Sequence, residues 1–199
     1  MILNKIQQRI LIRQCIVGKS SAQKRLYDLF ADDMFKVCAT YASDYDNAND
    51  LLQEGFLKVF QNLHKYDKTG SLGGWIRKVM INNCIDFYRA DKFGRNKQFL
   101  SEDINIHTKM ISINEVESKF ENDDFLSIIS HLPEGYRVVL NLYFLEDYTH
   151  KEIAEKLGIT EGTSKSQLHK AKKYLKETLL KTLTEEEIKE YGGLAKEVV

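Results

Sequence analysis

The chain has 199 residues, a single proline, 43% hydrophobic residues and 29 basic against 29 acidic side chains, enough to bury one good core or two small ones. Its three cysteines, Cys15, Cys38 and Cys84, are odd in number, widely spaced and in no C-x-x-C arrangement, which excludes a disulfide framework and a zinc site. No stretch approaches the ~18 consecutive apolar residues of a membrane span, and the start lacks a signal-peptide pattern, so a soluble chain in a reducing cytosol is expected.

From Ile6 to Tyr41, apolar residues at three- and four-residue intervals (Ile10, Cys15 or Ile16, Leu26, Leu29, Phe30, Met34, Val37, Cys38) predict two helices around the turn Gly18-Lys19-Ser20-Ser21. Asp44 and its neighbours supply cap chemistry for a third helix. Leu52, Phe56, Val59, Phe60 and Leu63 form its apolar stripe, and Asp50, Gln53, Glu54, Lys58 and Gln61 its polar face. A loop follows over 66–74, then a helix from Trp75 to about Ala90, in which Trp75 and Phe87 are expected to pack. Asn82 is a poor helix former and needs a polar reason to be there.

Residues 91–122 keep no clean period and read as a tethered linker. Order resumes near Phe125, Pro133 stands where a helix can begin, and Val138, Val139, Leu142 and Leu145 continue it. The formally neutral chain is segregated by charge. Six basic residues oppose two acidic ones over 71–97, and eight oppose four over 149–183, while 101–133 carries seven acidic against two basic. Two basic modules flank an acidic connector, a pattern suited to contact with phosphates.

Thr149-His150-Lys151-Glu152 has the form of a capping box, and Ile153, Ala154 and Leu157 give the helix it opens a buried stripe. Gly158 can end that helix in the left-handed conformation, Ile159 plugs the corner, and Thr160 caps a second helix carrying Leu168, Ala171 and Leu175 inward. Together these predict a helix-turn-helix, whose outward face would meet phosphates and base edges in a major groove. A lone lysine-rich helix would more simply be a solvated surface; the ordered succession of cap, small residue, glycine, plug and second cap decides against that. His150 and His169 lie on different elements with no partnering Cys or Asp, so no metal site is expected. The expected fold is all-α: two small helical domains joined by a linker, the second containing the helix-turn-helix.

Three blocks then resemble one family, the extracytoplasmic-function sigma factors of bacterial RNA polymerase. Asp50-Leu51-Leu52-Gln53-Glu54-Gly55-Phe56-Leu57-Lys58-Val59-Phe60 is similar to its D-x-x-Q-E-x-F helix. Trp75-Ile76, Val79, Asn82, Asp86 and Arg89 follow its W-L-x-x-I-A-x-N-x-x-x-D-x-x-R segment. Leu132-Pro133, Arg137 and Val139, with 148–154 and 161–168, resemble its carboxy-terminal module. Met80 replaces the usual alanine, Ser164 stands where an apolar residue is more frequent, and Lys165 and Lys170 replace frequent arginines.

The resemblance implies four segments: 1–92, a region 2 type domain; 93–122, an acidic linker through the polymerase; 123–183, a region 4 type helix-turn-helix; and 184–199, a tail whose role is unreadable. It implies that Asp50, Gln53, Glu54 and Lys58 bind core RNA polymerase. Tyr66, Ser71, Arg77, Lys78, Asn82, Asp86 and Arg89 would act at the −10 element, Asn82 with the 66–74 loop holding an extruded base. Thr163, Lys165, Ser166, Gln167, His169, Lys170 and Lys173 would act at the −35 element. Lysine neutralises phosphate but lacks the fork that pairs bidentately with guanine, so Lys165 and Lys170 are expected at the backbone.

The implied partners are core RNA polymerase, promoter DNA and an anti-sigma factor that holds the cytoplasmic chain at the membrane. No cofactor, small-molecule substrate or enzymatic activity is expected, since no nucleophile with a base, phosphate-cradling loop or carboxylate pair emerges. A dimeric ligand-responsive regulator with the same helix-turn-helix would leave the Gln53-Glu54 helix and Asn82 without a purpose. An all-helical nucleic-acid enzyme would need acidic ligands on facing helices, and Asp44, Asp46 and Asp50 look like caps.

Overall fold

A computed structural model of the chain describes residues 4–95 and 129–182. Every regular element within them is helical, and the chain divides into two compact units, Met1–Lys92 and Phe93–Val199. The tail over 184–199 lies outside the described residues, as do 96–128, which include nearly all of the expected linker.

The first unit starts with helix α1, Lys5–Ile16, closed by a capping box in which Asn4 Oδ1 accepts from the Gln7 N–H and Gln7 Oε1 accepts from the Asn4 N–H. Leu11, Ile12 and Cys15 are its buried residues. Ile10, expected in the core, is 51% exposed, and Ile16 is exposed as well. The correction has a simple cause: α1 carries apolar residues on more than one face, and the period alone does not say which face meets α2.

Helix α2, Ser20–Tyr41, packs against both α1 and α3, Tyr45–Asn62. Asp44 caps α3 by accepting from the Asn47 N–H at 2.8 Å, an arrangement that stabilises a helix by about 1 kcal/mol. Ala48, Leu51, Leu52, Phe56 and Val59 then fill the core.

After a 3-10 turn at Leu63–Lys65, helix α4 runs from Leu72 to Arg95, five residues beyond its expected end near Ala90. Residues 91–95 keep no apolar period in the sequence, so periodicity alone gave no sign that the helix continues. Ile76, Met80, Ile81, Cys84, Ile85 and Tyr88 form the buried side of α4. Met80 lies over Gly55 of α3, where an added Cβ would overlap the Met80 sulfur. The alanine-to-methionine departure thus meets a residue with no side chain, and the two helices approach closely there.

In the second unit, α5 (Glu134–Phe144) follows Pro133, α6 spans His150–Leu157 and α7 spans Glu161–Thr182. Both α5 and α6 pack on α7. Arg137 is buried and donates from Nη1 to the Ser130 carbonyl at 2.8 Å, tying the turn before α5 to the helix itself.

Candidate functional site

On α3 the helical period separates two faces. Asp50, Gln53, Glu54, Leu57 and Gln61 fall on one exposed stripe opposite the core. Asp50, Gln53 and Glu54 form no ion pair or side-chain hydrogen bond among the described residues, so the fold does not use them. Leu57, which the sequence reading passed over, is 62% exposed in the middle of this polar stripe. A single exposed aliphatic residue is ordinary on a protein surface, and Leu57 stands out only by its place between Gln53, Glu54 and Gln61 on the same helix. Lys58 sits at the stripe's edge and donates from Nζ to Asp86 Oδ2 of α4 at 3.1 Å. Two residues expected to serve different surfaces are therefore each other's partner.

The loop before α4 is held by its own side chains. Asp67 Oδ1 accepts from the backbone N–H and the hydroxyl of Thr69, and Lys68 takes a left-handed backbone with φ of 68°. Tyr66 is only 8% exposed; its hydroxyl donates to the Gly70 carbonyl at 2.6 Å and its ring lies 5.8 Å from that of Trp75. Tyr66 therefore braces the loop and does not present its ring to solvent. Ser71 Oγ accepts from the Gly74 N–H and so caps the start of α4. Two of the loop's expected DNA contacts are thus residues that fix its shape.

Beyond this loop, Lys78, Asn82, Asp86 and Arg89 line one exposed stripe of α4, with half-buried Trp75 at its head. Asn82 lies seven positions after Trp75, about 10 Å along the helix. Arg77 lies off this stripe, half-buried and engaged in interactions of its own. Asn82 is exposed, and the buried asparagine is its neighbour: Asn83, 1% exposed, donates from Nδ2 to the Leu51 carbonyl of α3 at 3.0 Å. Two adjacent asparagines thus divide the work, one bonding α4 to α3 and the other facing out. Phe87, expected to pack, is exposed.

In the second unit the predicted turn chemistry is in place. Glu152 Oε2 accepts from the Thr149 N–H at 2.8 Å and the Thr149 hydroxyl accepts from the Glu152 N–H at 3.3 Å. The Thr149 hydroxyl also donates to Glu152 Oε2 at 2.7 Å, and that bond with the one from the Thr149 N–H holds the Glu152 carboxyl below the usual carboxylate range. Gly158 ends α6 with φ of 64°, and Thr160 Oγ1 accepts from the Thr163 N–H to cap α7. Leu168, Ala171 and Leu175 are buried as expected.

Ser166, His169, Lys170 and Lys173 are exposed on the far side of α7 from that core, with exposed Lys165 at one edge and half-buried Thr163 and Gln167 at the other. Lys165 Nζ lies 2.7 Å from Glu161 and Lys173 Nζ lies 3.9 Å from Glu177, so two residues expected at the −35 element have carboxylates beside them. The Gln167 Oε1 is buried with no hydrogen-bond partner among the described residues. Ser164 is fully buried, with its Oγ 2.9 Å from His150 Nδ1. His150 is held below its usual pKa by burial and by the charge of Lys165.

Among the described residues no group of three or more His, Cys, Asp or Glu is placed to hold a metal, and no helix is long and apolar enough to cross a membrane. The three cysteines are buried and unpaired by disulfides.

Comparison with known proteins places two family regions in order along the chain. Residues 26–93 match sigma-70 region 2 and residues 122–175 match sigma-70 region 4. The ECF RNA polymerase sigma factor SigM of Bacillus subtilis is 28% identical over 152 residues, covering 76% of this chain and 91% of that protein. The RNA polymerase sigma factor SigZ of the same organism is 29% identical over 169 residues, covering 85% and 93%. Among solved structures, the sigma factor RpoE of Bartonella quintana, crystallised with the anti-sigma factor NepR, aligns with a TM-score of 0.45 at 20% identity over 81% of this chain and 98% of that one.

Proposed function

The chain belongs to the sigma-70 family of RNA polymerase subunits, as one of its extracytoplasmic-function sigma factors, and from that premise we propose how its surfaces divide the work of initiating transcription. A sigma factor directs core RNA polymerase to promoters and helps open them. The exposed α3 stripe of Asp50, Gln53, Glu54 and Leu57 docks on polymerase, with Leu57 as the apolar centre of the contact. The braced 66–71 loop and the α4 stripe of Lys78, Asn82 and Arg89 take the opened −10 element, Asn82 offering its amide to an extruded base. The outward face of α7, with Ser166 and His169 toward base edges, half-buried Gln167 at its margin, and Lys165, Lys170 and Lys173 toward phosphates, reads the −35 element.

The observation that supports this reading is the pairing, within one chain, of a sigma-70 region 2 match and a sigma-70 region 4 match with a polar α3 face whose Asp50, Gln53 and Glu54 make no side-chain bond among the described residues. The chain acts by binding alone, in the cytoplasm, and the polymerase supplies the catalysis. An anti-sigma factor that withholds the chain from polymerase, at the membrane, completes the proposal.

Core polymerase reconstituted with the chain should form a stable complex and select duplexes from a random library by two separate elements. Run-off transcription from the selected DNA should require the chain. A chain that leaves core polymerase unbound, or that selects DNA equally well without it, contradicts the proposal.

A further inference from the structure

Ser164 sits on the core side of α7, in line with Leu168, Ala171 and Leu175, at a position where an apolar residue would pack without needing a partner. A buried hydroxyl is stable there only with a hydrogen bond. Its partner is His150 Nδ1, at the first residue of α6. The backbone at that point is already fixed by the Thr149–Glu152 capping box. The His150 ring also stacks on Tyr143 of α5, with centroids 4.9 Å apart and planes 25° from parallel. One polar node therefore joins all three described helices of the unit, one residue away from Lys165 and two from Ser166.

We infer that the His150–Ser164 hydrogen bond, braced by Tyr143, is a positioning element that sets the roll of α7 on α6 and thereby tunes base preference at the upstream DNA element. The inference rests on α7 reading DNA as proposed above. Apolar contacts alone let a helix roll by several degrees at little cost, whereas a hydrogen bond tolerates only a few tenths of an ångström. With side-chain tips about 5–6 Å from the helix axis, a 10° roll moves each by about 1 Å. Such a shift spoils a directional base contact and hardly alters attraction to phosphate. His150 and Ser164 are thus expected to govern discrimination while leaving the electrostatic part of binding alone.

The groups facing His150 are Tyr143 from α5 and Lys165 and Glu161 from α7. Burial and Lys165 keep the imidazole neutral at pH 7, able to accept from the Ser164 hydroxyl through Nδ1. An imidazolium carries only donors, so acid turns the serine hydroxyl around and adds a cation beside Lys165. Discrimination should therefore fall as pH drops below the ordinary histidine range.

The test uses holoenzyme reconstituted from core polymerase and full-length chain, on a duplex that the wild-type holoenzyme selects from random DNA. Transcription is compared between that duplex and single-base changes in its upstream element. Ser164→Ala and His150→Phe should each cut discrimination about fivefold at one or more positions, the factor one hydrogen bond represents, with an unchanged slope of affinity against salt. His150→Asn, whose carboxamide can take the place of Nδ1, should retain discrimination and lose its acid sensitivity. His150→Phe keeps an aromatic ring beside Tyr143 at a partly exposed position, so it guards against misreading a Ser164→Ala variant that fails to fold. Undiminished discrimination in His150→Phe, a uniform loss of affinity for all sequences, or no rescue by His150→Asn overturns the inference. A wild-type holoenzyme indifferent to the upstream sequence would instead sink the DNA-reading assignment, and the inference with it.

Discussion

Gly55 and Met80 offer a quantitative test of how α3 and α4 are joined, because their contact links the two helices proposed above to meet polymerase and the −10 element. An alanine Cβ at position 55 would overlap the sulfur of Met80, which is itself fully buried and has little space to retreat into. Gly→Ala inside a helix is normally worth about 0.5–1 kcal/mol in favour of folding, whereas overpacking a core costs about 1–3 kcal/mol. Gly55→Ala should therefore destabilise this unit by about 1 kcal/mol net. Met80→Ala should cost about 2–5 kcal/mol as a cavity. On that background the alanine at 55 has room, and its sign should reverse to a gain of about 1 kcal/mol. The double-mutant cycle should then report a coupling of about 2 kcal/mol. Urea unfolding followed by fluorescence isolates the relevant unit, since Trp75 is the only tryptophan and lies in Met1–Lys92. If Gly55→Ala stabilises both backgrounds equally, the two helices do not meet as described.

Replacing Gln53, Glu54 and Leu57 with Ala should leave that urea midpoint within about 0.5 kcal/mol per residue, while binding to core polymerase in a competition assay falls at least tenfold, which is about 1.4 kcal/mol; unaltered binding would remove α3 from the interface. Asn82→Ala should reduce permanganate reactivity of promoter thymines on duplex DNA and recover on a premelted template, and normal opening by the mutant would refute the base-pocket role. Glu161→Gln, which frees Lys165, should tighten upstream DNA binding and steepen its salt dependence by up to about 0.9 in slope; a flat response would mean that Lys165 touches no phosphate. Glu152 titrates below its usual range because Thr149 donates to the carboxylate, so its stabilisation is present above the unfolded pKa and lost as pH falls through the folded one. Thermal unfolding of Glu152→Gln should therefore depend less on acid than that of the parent chain.

What was legible in the sequence was local. The Thr149–Glu152 box, the left-handed Gly158, the Thr160 cap and the Leu168, Ala171 and Leu175 stripe each involve residues within a few positions of one another, and each is seen as expected. Pairings across long separations were not legible. Lys58 and Asp86 are 28 residues apart and Asn83 and Leu51 are 32 apart, and no spacing rule joins them. Tyr66 read as an available aromatic because the sequence does not show a loop folding back to give its hydroxyl a carbonyl. Ile10 misled because periodicity reports that a helix is amphipathic, while only its neighbours decide which side is covered. Ser164 looked like a departure from an apolar pattern until His150, 14 residues earlier, supplied its partner.

The central claim is that one chain carries two unlike DNA-reading modules that act together once docked on polymerase. It is tested most directly by run-off transcription from promoters in which the spacing between the two elements is varied. A dimeric regulator would follow a palindrome and need no polymerase to bind. The account predicts two unrelated, ordered elements, with the helix-turn-helix on the upstream one. It also predicts that inserting about five base pairs, half a helical turn, turns the elements to opposite faces of the duplex and abolishes initiation. Transcription that persists unchanged through that insertion would contradict it.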